Sequence, residues 1–235
     1  MRIATLNIRH GGGKRVFGLA TFVNGLKADC LLLTEFRSNG PGFDLSLKLF
    51  DLGYAHQSEI SDDPKLNQLR WFSKHPFTVV PLPSGWESEG RPQQRIAAIQ
   101  LGSVTLIGVY FPQGKLKSPV FDYLNSAFPS AVLGKAMLIG DFNTGKHFED
   151  EASRSFICAG KFEQMLETGW VDVWRSRNPT GREFSWFSNN GNGFRIDHAL
   201  CTDALEQTVK GVSYLQGSIA TGLTDHACLT LDLVT

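Results

Sequence analysis

The chain has 235 residues, with 23 Lys and Arg against 23 Asp and Glu, and 42% apolar and 20% charged side chains. That length suits one large domain over residues 1–235 with a substantial core, and the composition is that of a soluble globular protein. A formal net charge of zero excludes a strongly basic nucleic-acid coat but leaves room for a local basic patch.

In chain order, the alternation Arg2-Ile3-Ala4-Thr5-Leu6-Asn7 predicts a strand over about residues 2–8, and Gly11-Gly12-Gly13 a flexible turn. Val16, Leu19, Ala20, Val23 and Leu26 recur at helical spacing. The run Asp29-Cys30-Leu31-Leu32-Leu33-Thr34-Glu35 is short and apolar and ends in a carboxylate, so it reads as a buried strand. Residues 37–44, rich in Ser, Asn, Gly and Pro, read as a loop. A short helix over 45–52, a strand near Tyr54 and an exposed loop over 61–67 follow. Residues 69–72, 77–81 and 96–101 read as strands. Gly102-Ser103 is a tight turn that joins the last of these to 104–111 as a hairpin. A helix over 120–128 precedes the buried run Ala136-Met137-Leu138-Ile139, which ends in Gly140-Asp141-Phe142-Asn143. The mixed-charge segment 146–155 has no period, Phe162, Met165 and Leu166 form a helix face, and 184–187, 195–201, 209–215 and 227–234 read as strands. Many strands with a few interspersed helices imply an α/β fold of two packed sheets covered by helices.

Of the four cysteines, Cys30, Cys201 and Cys228 sit in or beside apolar runs and read as buried thiols; none of the four has zinc or disulfide spacing. No signal segment is expected before the first strand, and no apolar run is long enough to span a membrane. A reducing, cytoplasmic setting is the expectation.

Several strands end in a polar residue that packing would not choose: Asn7, Glu35, Asp141 with Asn143 two residues on, and Asp225-His226 just before the last strand. Asp197 lies inside Arg195-Ile196-Asp197-His198. Singly, each reads as well as a turn former, a cap or a solvated strand end. As a set they weigh more. Burying one carboxylate costs on the order of a few kcal/mol unless it is paired or binds a metal. Several converging carboxylates repel unless a hard, oxygen-loving cation sits among them.

These residues, in this order, resemble the endonuclease/exonuclease/phosphatase superfamily. The stretches that carry the likeness are Thr5-Leu6-Asn7-Ile8, Leu33-Thr34-Glu35-Phe36-Arg37, Tyr110-Phe111-Pro112-Gln113-Gly114, Gly140-Asp141-Phe142-Asn143, Arg195-Ile196-Asp197 and Thr224-Asp225-His226. Within the superfamily the chain looks most like the exonuclease III-type AP endonucleases, through Leu166-Glu167-Thr168-Gly169-Trp170-Val171-Asp172 and Phe184-Ser185-Trp186-Phe187 as well. The resemblance implies a four-layer α/β sandwich, two mixed sheets face to face with helices outside, and an active site at one edge. It implies that Glu35 is the principal ligand of Mg2+ or Mn2+ and Asp225 a second, with Asn7, Asp141 and Asn143 beside the metal. Asp141 and Asn143 resemble the pair that orients or deprotonates the attacking water. His226 resembles the histidine on the scissile phosphate, Asp197 the carboxylate that fixes its tautomer, and Tyr110 the phenol at the phosphate or leaving oxygen.

On the substrate side, Trp186, Phe194 and Ile196 match a pocket for a sugar that lacks its base, and Arg95 a phosphate contact. Ser73-Lys74 sits where the family has a phosphate-side loop, which implies Arg70 and Lys74 as contacts to the nucleic-acid backbone. The implied substrate is duplex DNA, abasic or nicked, cut by a monomer acting as AP endonuclease and/or 3′-to-5′ exonuclease in base-excision repair. Two other readings stay open: a phosphodiesterase or phosphatase of the same superfamily acting on RNA, a nucleotide or a lipid head group, and an inactive binding module of the same fold. The loop Ser188-Asn189-Asn190-Gly191-Asn192-Gly193, short and without Lys or Arg, is the feature that discriminates among substrates.

Overall fold

The computed structural model describes residues 1–84 and 95–234. The chain opens with β1 (Arg2–Asn7), α1 (Val16–Leu26), β2 (Cys30–Phe36) and α2 (Gly40–Asp51), then β3 (His56–Gln57), β4 (Gln68–Ser73) and β5 (Thr78–Val80). It continues through the hairpin β6 (Ile96–Leu101) and β7 (Val104–Tyr110), α3 (Lys117–Ala127), β8 (Ala136–Asp141), α4 (Ala159–Glu167), β9 (Val171–Asp172) and α5 (Val173–Arg177). It ends with β10 (Trp186–Phe187), β11 (Gly193–Phe194), β12 (Asp197–Cys201), α6 (Asp203–Glu206), β13 (Val209–Leu215), α7 (Gly217–Ala220) and β14 (Cys228–Leu233).

Two mixed six-stranded sheets result, ordered β13-β14-β1-β2-β4-β3 and β5-β6-β7-β8-β12-β9, with β10 and β11 forming a separate ribbon. Strand alternation sorts the apolar residues into layers. Ile3, Cys30, Leu32, Trp71, Leu106, Ile139 and Leu229 form the core between the sheets. Their neighbours Ala4, Leu31 and Leu33 face outward onto Leu19 and Val23 of α1 and Leu45 and Leu49 of α2. On the other side, Ile107 and Leu138 meet Val120, Phe121 and Leu124 of α3 and Phe162 and Met165 of α4. This is the expected four-layer sandwich of helices, sheet, sheet and helices. Among the described residues, no helix is long and apolar enough to cross a membrane.

Two local expectations are corrected. Residues 40–44 are not loop but the first turn of α2: the Asn39 side chain accepts the Gly42 N–H at 3.0 Å as the cap, and Pro41 sits in the first turn, where no N–H is needed. The strand near Tyr54 begins only at His56. Tyr54 packs instead in the core behind α2, its hydroxyl donating to the Ala28 carbonyl at 2.9 Å.

Candidate active site

Strand parity brings the polar residues together. Asn7 follows Ile3 and Thr5 at two-residue spacing, Tyr110 follows Leu106 and Gly108, Asp141 follows Met137 and Ile139, and Asp197 precedes Ala199 and Cys201. The large apolar members of these series lie in the inter-sheet core, so the polar residues project between the sheets at one edge. Register then aligns them. Tyr110 pairs with Asp141 across the parallel β7–β8 ladder, and Asp197 pairs with Asp141 across the antiparallel β8–β12 ladder. Gly140 is required where it stands. Its φ is 139°, and a Cβ there would lie 2.0 Å from the Val109 carbonyl oxygen.

Glu35 reaches the same edge by a different device. Alternation alone would send it outward with Leu33. The register of β2 against β4 shifts between Leu33 and Phe36, and Glu35 takes φ of 55°, so Phe36 returns to the helix side while the carboxylate turns to the edge. A left-handed non-glycine residue inside a strand is strained, and such strain concentrates where function sets the geometry.

The side chains form a connected set. The Asn7 amide NH2 donates to Glu35 Oε1 at 3.1 Å and to Asp141 Oδ2 at 3.0 Å. Asn7 Oδ1 accepts the Arg9 N–H at 2.9 Å, so Asn7 turns a pure donor toward the two carboxylates and orients them; a ligand atom for a metal would have to be its oxygen. The Asn143 N–H donates to Asp141 Oδ1 at 2.9 Å, and Asn143, itself left-handed at φ 52°, is held by its own donation to the Phe111 carbonyl at 2.8 Å. The Glu35 Oε2 atom accepts the His10 N–H at 2.9 Å and the Asn67 amide at 3.3 Å. His226 Nδ1 donates to Asp197 Oδ2 at 2.8 Å, which leaves Nε2 as the free ring nitrogen. Asp225 accepts the Trp186 indole N–H at 3.3 Å, with Arg9 4.0 Å away.

The electrostatics are lopsided. Burial and the nearby Asp197 charge push the Asp141 carboxyl upward. Burial works against the charged form of His226, but the Asp197 carboxylate outweighs it and raises the imidazole to about 9. Burial, Glu35 and Asp141 together push the Tyr110 phenol up to about 12. Among the described residues, the acidic and imidazole atoms that converge within 4.8 Å of one another are those of Asp141, Asp197 and His226. That closeness follows from strand pairing and the His226–Asp197 hydrogen bond. Glu35 joins the group through the Asn7 amide rather than by direct approach. Four carboxylates at one edge, met mainly by amides and one imidazole, suit a hard cation with oxygen ligands. The residues present therefore fit such a metal.

A cleft of about 360 Å3 opens over this edge. Glu35, Asp141, Asn143, Asp225 and His226 line it, as do Trp186, Phe194 and Ile196. Asn7 and Asp197 join it through their hydrogen bonds to Glu35, Asp141 and His226, and Tyr110 through its pairing with Asp141. Arg95 does not reach the cleft wall; its guanidinium lies over the Tyr110 ring, 5.0 Å from the centroid. The expected phosphate-side loop at Ser73-Lys74 is corrected. Because β4 runs antiparallel to β2, Ser73 pairs with Cys30 at the far end of the sheet, and Lys74 lies over the Tyr54 ring. Arg70 is committed to the Ser58 carbonyl and the Ser46 hydroxyl. Asn67, just before β4, is the residue this segment delivers to Glu35.

Sequence reasoning also missed Lys117 and the segment before α4. Lys117 is buried, and its ammonium donates to the Asn143 carbonyl at 2.5 Å. Ser155, Phe156 and Ile157 form one wall of the cleft. A lysine at a helix start reads as solvated, and residues 146–155 have no period, so neither carried a signal.

Solved structures share this fold. An AP endonuclease from Archaeoglobus fulgidus matches at a TM-score of 0.83 and 19% identity, and a 3′ phosphatase, NExo, from Neisseria, bound to a product DNA hairpin, at 0.83 and 23%. A 3′-5′ exonuclease, NExo, from Neisseria meningitidis matches at 0.79 and 23%. All three matches cover 100% of both chains. A family profile described as Endonuclease/Exonuclease/phosphatase family matches residues 4–226, from within β1 to His226. The chain thus belongs to the endonuclease/exonuclease/phosphatase family and is a hydrolase of phosphoester bonds.

Proposed function

We propose that the cleft hydrolyses phosphodiester bonds of DNA with a divalent metal, Mg2+ or Mn2+, as an AP endonuclease and/or a 3′-to-5′ exonuclease of base-excision repair. The observation that carries this reading is the joined set Glu35–Asn7–Asp141 beside Asp197–His226, facing one cleft. Hydrolysis of a phosphodiester needs an in-line water, relief of charge on the phosphoryl oxygens and help for the leaving oxygen. Asp141, held by Asn7 and the Asn143 N–H, orients and deprotonates the water. His226, fixed by Asp197 through Nδ1, directs Nε2 at a phosphoryl oxygen. Tyr110 stands beside Asp141 for the phosphate or leaving oxygen. Glu35 and Asp225 would hold the metal with Asp141 and Asn143 adjacent; when bound, it neutralises charge on the phosphate. Trp186, Phe194 and Ile196 receive the sugar side of the substrate, and the structural likeness to DNA-processing enzymes supports DNA as that substrate. The enzyme acts as a monomer in a reducing, cytoplasmic compartment, in keeping with the free, buried thiols of Cys30, Cys201 and Cys228.

The test is a pair of end-labelled duplexes, one carrying an abasic analogue, each incubated with Mg2+ and with EDTA. Metal-dependent incision at the analogue, or stepwise shortening from the 3′ end, is expected. Intact DNA in both, alongside hydrolysis of a simple phosphodiester, contradicts the DNA reading and favours another phosphoester substrate.

A further inference from the structure

The segment 144–157 is an ordered loop built to present its last residues to the cleft. His198 Nε2 donates to the Thr144 carbonyl at 2.8 Å, and the Thr144 hydroxyl donates to the Ile157 carbonyl at 3.0 Å, which closes the loop ends. Two buried carboxylates organise the rest. Asp150 accepts the Lys146 N–H at 2.9 Å, Arg175 Nη2 at 2.8 Å and Arg195 Nε at 2.7 Å. Glu151 is 1% exposed and accepts the N–H groups of Ser155 and Phe156, each at 2.9 Å, and His147 Nδ1 at 2.7 Å. Burial works to raise the Glu151 carboxyl, but the Ser155 hydroxyl, with the Phe156 N–H, His147 and the Ser155 N–H after it, outweighs burial and holds the group below its ordinary value. An ionised carboxylate is thus spent on fixing the backbone of two residues that line the cleft.

What that backbone presents is an aromatic ring. Phe156 packs edge-on against Phe194, with centroids 5.7 Å apart, and is stacked with His147 at 6.4 Å and 25°. Phe194 in turn lies 5.6 Å from Trp186. All three rings line the cleft, together with Gln113, Lys117, Asp141 and His226. A sugar lacking its base is served by Trp186, Phe194 and Ile196 alone. Phe156 adds a third aromatic side chain to the cleft lining, its backbone held in place by a buried carboxylate and its ring turned 63° from that of Phe194, while Gln113 and Lys117 of the same lining offer polar partners for a base edge. Bases stack on aromatic rings with little regard to sequence.

We propose that Phe156 is a specificity-determining residue whose ring stacks the base of an unpaired terminal nucleotide, so that the cleft favours a DNA strand end that keeps its base over one that has lost it. This rests on the DNA reading above. The test uses a 3′ overhang ending in 2-aminopurine and the same overhang ending in an abasic tetrahydrofuran, bound in EDTA so that nothing is cleaved. Wild-type protein quenches the 2-aminopurine on binding. Phe156→Leu keeps an apolar side chain but loses the ring; it relieves the quench and lowers the ratio of base-bearing to abasic affinity roughly tenfold. Phe156→Trp retains both, and unchanged thermal midpoints show that the fold holds. Equal weakening of the two strands by Phe156→Leu, or no quench by the wild type on binding, overturns the proposal alone. Failure of the wild type to bind either strand, in EDTA and in Mn2+ alike, overturns the DNA reading and this inference with it.

Discussion

Asp141 illustrates how much of the site rests on single side chains. It is buried, receives Asn7 and the Asn143 N–H, and faces Asp197 across the β8–β12 ladder. Asp141→Asn keeps the shape and removes the charge, so kcat on a simple phosphodiester should fall by about 10²–10⁴-fold with an unchanged circular dichroism spectrum. Wild-type turnover by that variant would remove Asp141 from the chemistry. His226→Ala should lose a similar factor, whereas Asp197→Asn, which leaves the imidazole in place but exchanges its partner, should lose activity without losing His226; the NMR signal of the His226 ring protons reports which has happened. Asp141 and His226 stood out in the sequence as polar residues at strand ends, and Asp197 inside Arg195-Ile196-Asp197-His198, but each alone read as well as a cap or turn former, and their roles came from the order of the motifs that resemble the family. Asn67 and Lys117 were not legible, because neither interrupts a pattern.

Among the elements, the buried Arg195 ties β12 to β9 and to the loop before α4. It donates to Asp172 at 3.1 and 2.6 Å and to Asp150 at 2.7 Å. Arg195→Met leaves the buried Asp172 without its arginine and Asp150 with Arg175 alone, and should cost about 3–5 kcal/mol in denaturant unfolding. The pH dependence has a definite sign. Burial raises the carboxyls of Asp172 and Asp150, but Arg195 outweighs it and holds both below their ordinary value. Their stabilisation is therefore complete above pH about 4 and is lost as the pH falls through their lowered folded values. The wild-type denaturation midpoint should drop steeply in that range and that of Arg195→Met only weakly; parallel curves would show that the network is not the acid-labile element. The longer strands, α1 and the β6–β7 hairpin followed from periodicity and turn residues, whereas β3, β9 and β11, of two residues each, are too short to show a period. The loop 144–157 did not, because its order comes from Asp150 and Glu151 binding backbone N–H groups, which has no period to read. The direction of β4 was equally silent, so Ser73-Lys74 was expected at the site when Asn67 is the end that reaches Glu35.

For the molecule as a whole, two sheets converge to set four carboxylates at one edge of a chain with no net charge. A cation that binds only the folded state stabilises it by mass action, by about 2.7 kcal/mol at a hundred times its dissociation constant. Mg2+ or Mn2+ should raise the thermal midpoint, EDTA should reverse the rise, and Glu35→Gln should diminish it; a midpoint indifferent to either metal would contradict the metal site. With no net charge on the chain, DNA binding should weaken as salt rises with a slope set by the number of phosphates contacted, shallow if only a few local cations make those contacts. The most direct test of the central claim, that this edge is a metal-assisted phosphodiesterase site, is hydrolysis of bis(p-nitrophenyl) phosphate by wild type and Asp141→Asn, each in Mn2+ and in EDTA. Turnover only by the wild type in Mn2+ is the predicted result. Equal turnover in EDTA, or by both proteins, would contradict it.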